Sequence, residues 1–112
     1  MKYSESLKKN KDFQYIYRKG TSYANKYLVM YVLENGTGQN RLGISVSKKV
    51  GNSVVRHRTT RLIRESIRLQ ESNILTEYDI VVVARKATKD KKYQDIESAF
   101  LNLCKRHNIL KR

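Results

Sequence analysis

Apolar and polar positions alternate along this chain with two distinct periods. In "KKNKDFQYIYRKG" (8–20) Phe13, Ile16 and Tyr17 fall at i, i+3 and i+4, one face of a helix. Asn10 is read as its N-cap, Asp12 suits its positive end, and Gly20 is read as its stop. "KYLVMYVLE" (26–34) is aromatic and β-branched and reads as a strand. After the turn residues "NGTGQN" (35–40), "RLGISVS" (41–47) sets Leu42, Ile44 and Val46 against Arg41, Gly43, Ser45 and Ser47, a period of two. Two strands across a Gly-rich loop predict an antiparallel hairpin, with room for a further short strand before residue 26. Residues 53–70 predict a second helix, and "YDIVVVAR" (78–85) a buried strand. Residues 91–107 predict a third helix, with Ile96, Phe100, Leu103 and Cys104 inward and Asn108 ending it. The order α-β-β-(β)-α-β-α predicts an α+β fold, helices against a small mixed sheet.

Charge then decides which classes of partner are credible. The 112 residues carry 24 Lys or Arg against 10 Asp or Glu, a formal net charge of +14, and suit one domain over 1–112. Self-repulsion on this scale opposes compaction and finds its use against a polyanion. No apolar run approaches the ~20 residues that span a bilayer. The start, "MKYSESLKKNKDF", has no apolar core of a secretory signal, and no helix keeps a large apolar face for a membrane surface. One cysteine, Cys104, forms no internal disulfide, and no CxxC pair suggests zinc. A cytoplasmic protein with a nucleic-acid partner is expected.

The charge is concentrated in "SKKVGNSVVRHRTTRLIRES" (47–66), where Glu65 is the single acid. Wound at about 100° per residue, Val55, Leu62, Ile63 and Ile67 take one side of the helix, and His57, Arg58, Arg61, Arg64 and Arg68 the other. A solvated face laced with ion pairs would need more acids, and like charges at i,i+3 and i,i+4 oppose helix formation. Arginine suits planar, bidentate phosphate contacts, and the preceding turn can offer backbone N–H groups to an anion. Phe13, Tyr17 and Tyr31 form a second candidate. Tyrosine hydroxyls seek water or a partner, so the cluster reads as an open groove on which single-stranded bases stack. The two histidines, His57 and His107, are not brought together by spacing, and Glu77, Asp79 and Asp95 are scattered, so neither a His pair for acid–base catalysis nor a metal cluster is expected. Cys104 reads as core.

"LGISVSKKVGNSVVRHRTTRLIRES" resembles the signature of the bacterial ribonuclease P protein family, whose helix carries an Arg-Asn-Arg core, then Lys-Arg and a further Arg. Gly43, Ser45, Ser47, Lys48, Lys49, Gly51, Asn52, Val54, Arg56, Arg58, Arg61 and Arg64 match it. "LKKNKDFQYIYRKGTSYAN" and "DIVVVARKAT" extend the likeness over nearly the whole chain. His57 stands where the family usually has Asn, and Thr60 where it usually has Lys. The resemblance implies a left-handed βαβ crossover through the basic helix, as in the second domain of a small-subunit ribosomal protein and domain IV of elongation factor G. It implies a subunit of the endoribonuclease that removes the 5′ leader of precursor tRNA, with catalytic centre and Mg²⁺ held by the RNA subunit, none by the protein alone, and no small-molecule substrate. By the same resemblance, Lys48, Lys49, Asn52, Arg56, His57, Arg58, Arg61, Arg64 and Arg68 would bind the RNA subunit. Phe13, Tyr17, Val29, Tyr31 and Ser45 would line the leader cleft, and no residue would be catalytic. From the residues alone, a ribosomal-type or chaperone-like RNA-binding module and a protein-only nuclease stay open as alternatives.

Overall fold

A computed structural model describes residues 4–111; Met1–Tyr3 and Arg112 of the expected 1–112 domain lie outside the described residues. The elements run β1 (Ser4–Ser6), α1 (Asn10–Lys19), β2 (Thr21–Ala24), β3 (Leu28–Glu34), β4 (Asn40–Ser45), α2 (Ser53–Gln70), β5 (Tyr78–Ala84) and α3 (Tyr93–Arg106), with short 3-10 turns at Glu71–Asn73 and Lys86–Thr88. All five strands join one mixed sheet in the order β1-β4-β5-β3-β2. β5 is central, pairing parallel with β4 (Leu42 opposite Ile80) and antiparallel with β3 (Met30 opposite Val82). Helices cover both of its faces, which is why its sequence is a continuous apolar run.

The expected hairpin between strands 26–34 and 41–47 does not form. β3 and β4 do run in opposite directions, but β5 lies between them. The connecting loop bridges roughly 10 Å, two strand spacings. Its ends are tied down by Asn35, whose N–H donates to the Glu77 carbonyl at 2.8 Å and whose Nδ2 donates to Asp79 at 2.8 Å. Turn chemistry reported the reversal correctly; it cannot report which strand fills the gap. β2 is the short strand anticipated before residue 26, whereas β1, three residues paired parallel to β4, was not anticipated.

Two local assignments also change. Asn10 is the first residue of α1 rather than its cap; Lys9 holds the cap position and makes no side-chain cap bond. Gly20 does end α1, but in extended conformation (φ −77°). A Cβ there would stand 2.7 Å from the Ile16 carbonyl oxygen and 3.1 Å from that of Val32, so close packing requires the glycine. Asn108 closes the α3 end as expected, with φ +58°.

The hand of the β4–α2–β5 crossover follows from hydrogen-bond direction. Leu42 and Ile80 face α2 and α3, sharing a core with Ile63, Ile67, Phe100 and Leu103. With an extended L-chain running upward and a side chain toward the viewer, that residue's N–H and C=O point right. The Leu42 carbonyl accepts from the Leu7 N–H at 2.8 Å, which sets β1 to the right of β4. Odd-numbered β5 residues face away and bond left toward β3, as in the flanking Glu77–Asn35 and Arg85–Tyr27 bonds. β5 therefore lies left of β4 while α2 passes in front. The crossover is left-handed, against the right-handed form of about 98% of such connections.

Among the described residues, α1, ten residues long, is the one helix on the opposite face. Ile16 is buried there against Leu7 and Val81, while Phe13, Tyr17, Tyr31, Leu33 and Val83 remain half-buried around them. That incomplete cover leaves a cleft.

Candidate nucleic-acid interface

On α2, Asn52 caps the helix by accepting the Val55 N–H at 3.0 Å. This takes up one of the backbone donors that the turn was expected to offer an anion. Val50 is buried and anchors the turn, leaving Lys48 and Lys49 exposed. Ile63 and Ile67 seat the inner side of the helix, with Val55 and Leu62 partly buried beside them. Thr59 and Ser66 are buried too, each hydroxyl donating to the carbonyl four residues back.

On the outer side His57, Arg61, Arg64 and Arg68 are exposed and Arg58 is half-buried. The cations are not equivalent. Arg68 donates to Glu65 twice, at 3.0 and 2.5 Å, so its charge is already met. Arg56 lies at the flank, in a concavity of about 170 Å³ shared with Val46, Ser53, His57 and Thr60. Its Nε is buried without a partner, a donor for which an anion would supply the acceptor.

Across the sheet, α1 and β3 bring the aromatic side chains together. The Phe13 and Tyr17 ring centroids are 6.3 Å apart, and Tyr17 meets Tyr31 edge-on at 4.9 Å. Gly43 lies beneath the Phe13 ring, where a Cβ would stand 2.6 Å from Cζ. Ser45, Val83 and Val29 form one cross-strand row, next to the row of Gly43, Val81 and Tyr31. Phe13, Tyr17, Val29, Tyr31 and Ser45 therefore share one face. Val83 completes the cleft floor and was missed, although its place two residues beyond Val81 was the signal.

The remaining reactive groups have structural surroundings. Asp79 is buried and accepts from Arg41 Nε at 2.8 Å, Arg41 Nη2 at 2.6 Å and Asn35 Nδ2 at 2.8 Å. Burial by itself would raise its pKa; the Arg41 and Asn35 hydrogen bonds, with the Arg41 charge, outweigh burial and hold it below the usual value. Cys104 is buried, and desolvation pushes its thiol up to about 12. His107 Nε2 lies 2.9 Å from the Met30 carbonyl oxygen, at the end of α3, while His57 lines the concavity on α2. Burial holds the His107 pKa below its ordinary value; its bond to Met30 opposes this and the nearby Arg106 charge adds to it. Among the described residues, no group of three or more His, Cys, Asp or Glu is placed to hold a metal, and no helix is long and apolar enough to cross a membrane.

Comparison with known proteins adds a family. A family model described as Ribonuclease P matches residues 1–108. The ribonuclease P protein component of Lachnoclostridium phytofermentans is 59% identical over 107 residues, covering 96% of this chain and 92% of that protein. That of Clostridium novyi is 55% identical over 111 residues, covering 97% and 98%. Among solved structures, the RNase P protein of Staphylococcus aureus superimposes with a TM-score of 0.88 at 41% identity, covering 96% of this chain and 99% of that one. The RNase P protein of Thermotoga maritima gives 0.83 at 34% identity, covering 91% and 96%.

Proposed function

This chain belongs to the bacterial ribonuclease P protein family, and from that premise we propose that its two open surfaces divide the work of the ribonucleoprotein. It is a protein subunit of an endoribonuclease of tRNA 5′ processing and partners the ribonuclease P RNA. The cationic face of α2, with Lys48 and Lys49, docks on that RNA. The cleft of Phe13, Tyr17, Val29, Tyr31 and Ser45 takes the single-stranded 5′ leader of precursor tRNA. Hydrolysis at the 5′ end of the mature tRNA belongs to the RNA subunit, which would hold the Mg²⁺, and the complex works in the cytoplasm.

The observation that carries this reading is the arrangement of the half-buried aromatic cleft on one sheet face and the cationic helix on the other. A protein can thus grip a leader and a catalytic RNA without either occupying the other's surface. Stacking contributes about 1–3 kcal/mol per base, and neutralising phosphates adds a salt-dependent term. The test is precursor tRNA cleavage by ribonuclease P RNA at low Mg²⁺, with and without this protein. Faster cleavage with the protein supports the reading. An RNA-binding module without a part in cleavage would bind the RNA and leave the rate unchanged.

A further inference from the structure

A second aromatic and cationic recess lies on the α2–α3 face, at the β2 edge of the sheet. Tyr23 pairs with Met30 and Thr21 with Val32, which places Tyr23 on the side of the sheet that α3 packs against. The recess, about 280 Å³, is lined by Lys19, Tyr23, Val32, Glu34, Arg106 and His107 among others. Its walls are fixed before any ligand arrives. His107 Nε2 lies 2.9 Å from the Met30 carbonyl oxygen, which can only accept, so Nε2 carries the hydrogen. The His107 ring meets Tyr23 edge-on at 4.7 Å. The Arg106 guanidinium lies 4.7 Å from the Tyr23 ring centroid, and its Nη1 donates to the Ala24 carbonyl at 2.7 Å.

A structural role accounts for part of this. Arg106 satisfies a carbonyl of an edge strand, and so discourages pairing with another chain. That does not account for the Tyr23 side, where Tyr23, 37% exposed, shares the recess with a histidine, a lysine and apolar Val32. We propose that this recess binds one nucleotide of single-stranded RNA, the base against Tyr23 and His107 and the phosphate between Lys19 and Arg106. Two cations against Glu34 leave the rim positive. Burial keeps the imidazole neutral near pH 7, so it packs as an aromatic surface. Tyr17 lies in the leader cleft and Lys19, two residues on, lines the recess. The two sites thus adjoin around the β2 edge, on opposite faces of the sheet.

The test uses the full chain and a single-stranded RNA oligonucleotide carrying photoreactive uridines, with crosslinked peptides mapped by mass spectrometry. Crosslinks at Tyr23 or His107, in addition to any in the Phe13 cleft, are expected. Tyr23→Ala should weaken binding of the same oligonucleotide about 5- to 100-fold, while Tyr23→Phe, which keeps the ring, binds like wild type. Lys19→Gln, far from the core, should lower the slope of log affinity against log salt by about 0.7. Crosslinks that avoid Tyr23 and His107, or a Tyr23→Ala affinity equal to wild type, would overturn the site. So would a concentration-dependent dimer by sedimentation that Tyr23→Ala abolishes, since the recess would then be a contact between copies. Failure of the leader reading is separate: it appears in Phe13→Ala and leaves the Tyr23 crosslinks in place.

Discussion

The Phe13 ring occupies the space that any side chain at Gly43 would need: a Cβ there would meet Cζ at 2.6 Å and Cε1 at 2.8 Å. Helix α1 and strand β4 are fitted to each other at this point, and the fit sets the aromatic wall of the cleft. Gly43→Ala should therefore displace Phe13 and cost about 1–3 kcal/mol in stability, as overpacking does. Holoenzyme built with the variant should bind precursor tRNA more weakly, and mature tRNA as before. Thermal melts and the two titrations check this; an undisturbed cleft with full precursor affinity would show that Phe13 is not held by Gly43.

Acid should destabilise the protein in two stages. His107 has a folded pKa below its unfolded value near 6.5, chiefly through burial, so the unfolded chain takes up the proton first. Its contribution is intact above about pH 6.5 and falls as the pH descends toward the folded pKa. Asp79 is held low despite its burial by Arg41 and Asn35; its contribution is complete above the unfolded value near 3.9 and is lost as pH falls through the folded one. Urea denaturation across pH should show His107→Gln flattening the upper stage and Asp79→Asn the lower. Variants that shift stability equally at every pH would contradict these assignments.

Salt dependence should distinguish arginines on the same helix. Arg61 is exposed and free to meet a phosphate, whereas Arg68 is already paired with Glu65. Arg61→Ala should flatten the salt dependence of binding to ribonuclease P RNA by about one unit of slope, with an unchanged melting temperature. Arg68→Ala should flatten it less. Equal flattening by both would show that the Glu65 pair does not withhold Arg68 from the RNA, and no effect of Arg61→Ala would remove the helix face from the interface.

Much of this was legible in the residues. Helix α2 runs over 53–70 as its apolar spacing implies, and Ile96, Phe100, Leu103 and Cys104 face inward as the α3 pattern implies. Periodicity reports which face of an element is buried, and those faces assembled the cleft. It does not report which strands are neighbours, so the turn residues 35–40 suggested a hairpin where β5 in fact intervenes. Ser4–Ser6 carries no apolar signal, so β1 left no pattern to read in the sequence. The left-handed crossover was implied by family resemblance; general chain geometry argued for the other hand. The unpartnered Arg56 Nε and the Glu65–Arg68 pair depend on side-chain placement, which a helical wheel does not contain.

The division of labour between the two faces is tested most directly by titrating holoenzyme, assembled with ribonuclease P RNA, against precursor and mature tRNA. Mature tRNA offers no leader to stack, so Phe13→Ala or Tyr31→Ala should weaken precursor binding by about 1–3 kcal/mol per base lost and leave mature tRNA binding unchanged. Arg64→Ala, exposed on α2, should instead loosen assembly with the RNA subunit and affect both tRNAs in proportion. Parallel melts separate these effects from unfolding. A Tyr31→Ala holoenzyme that loses equal affinity for both tRNAs would contradict the account.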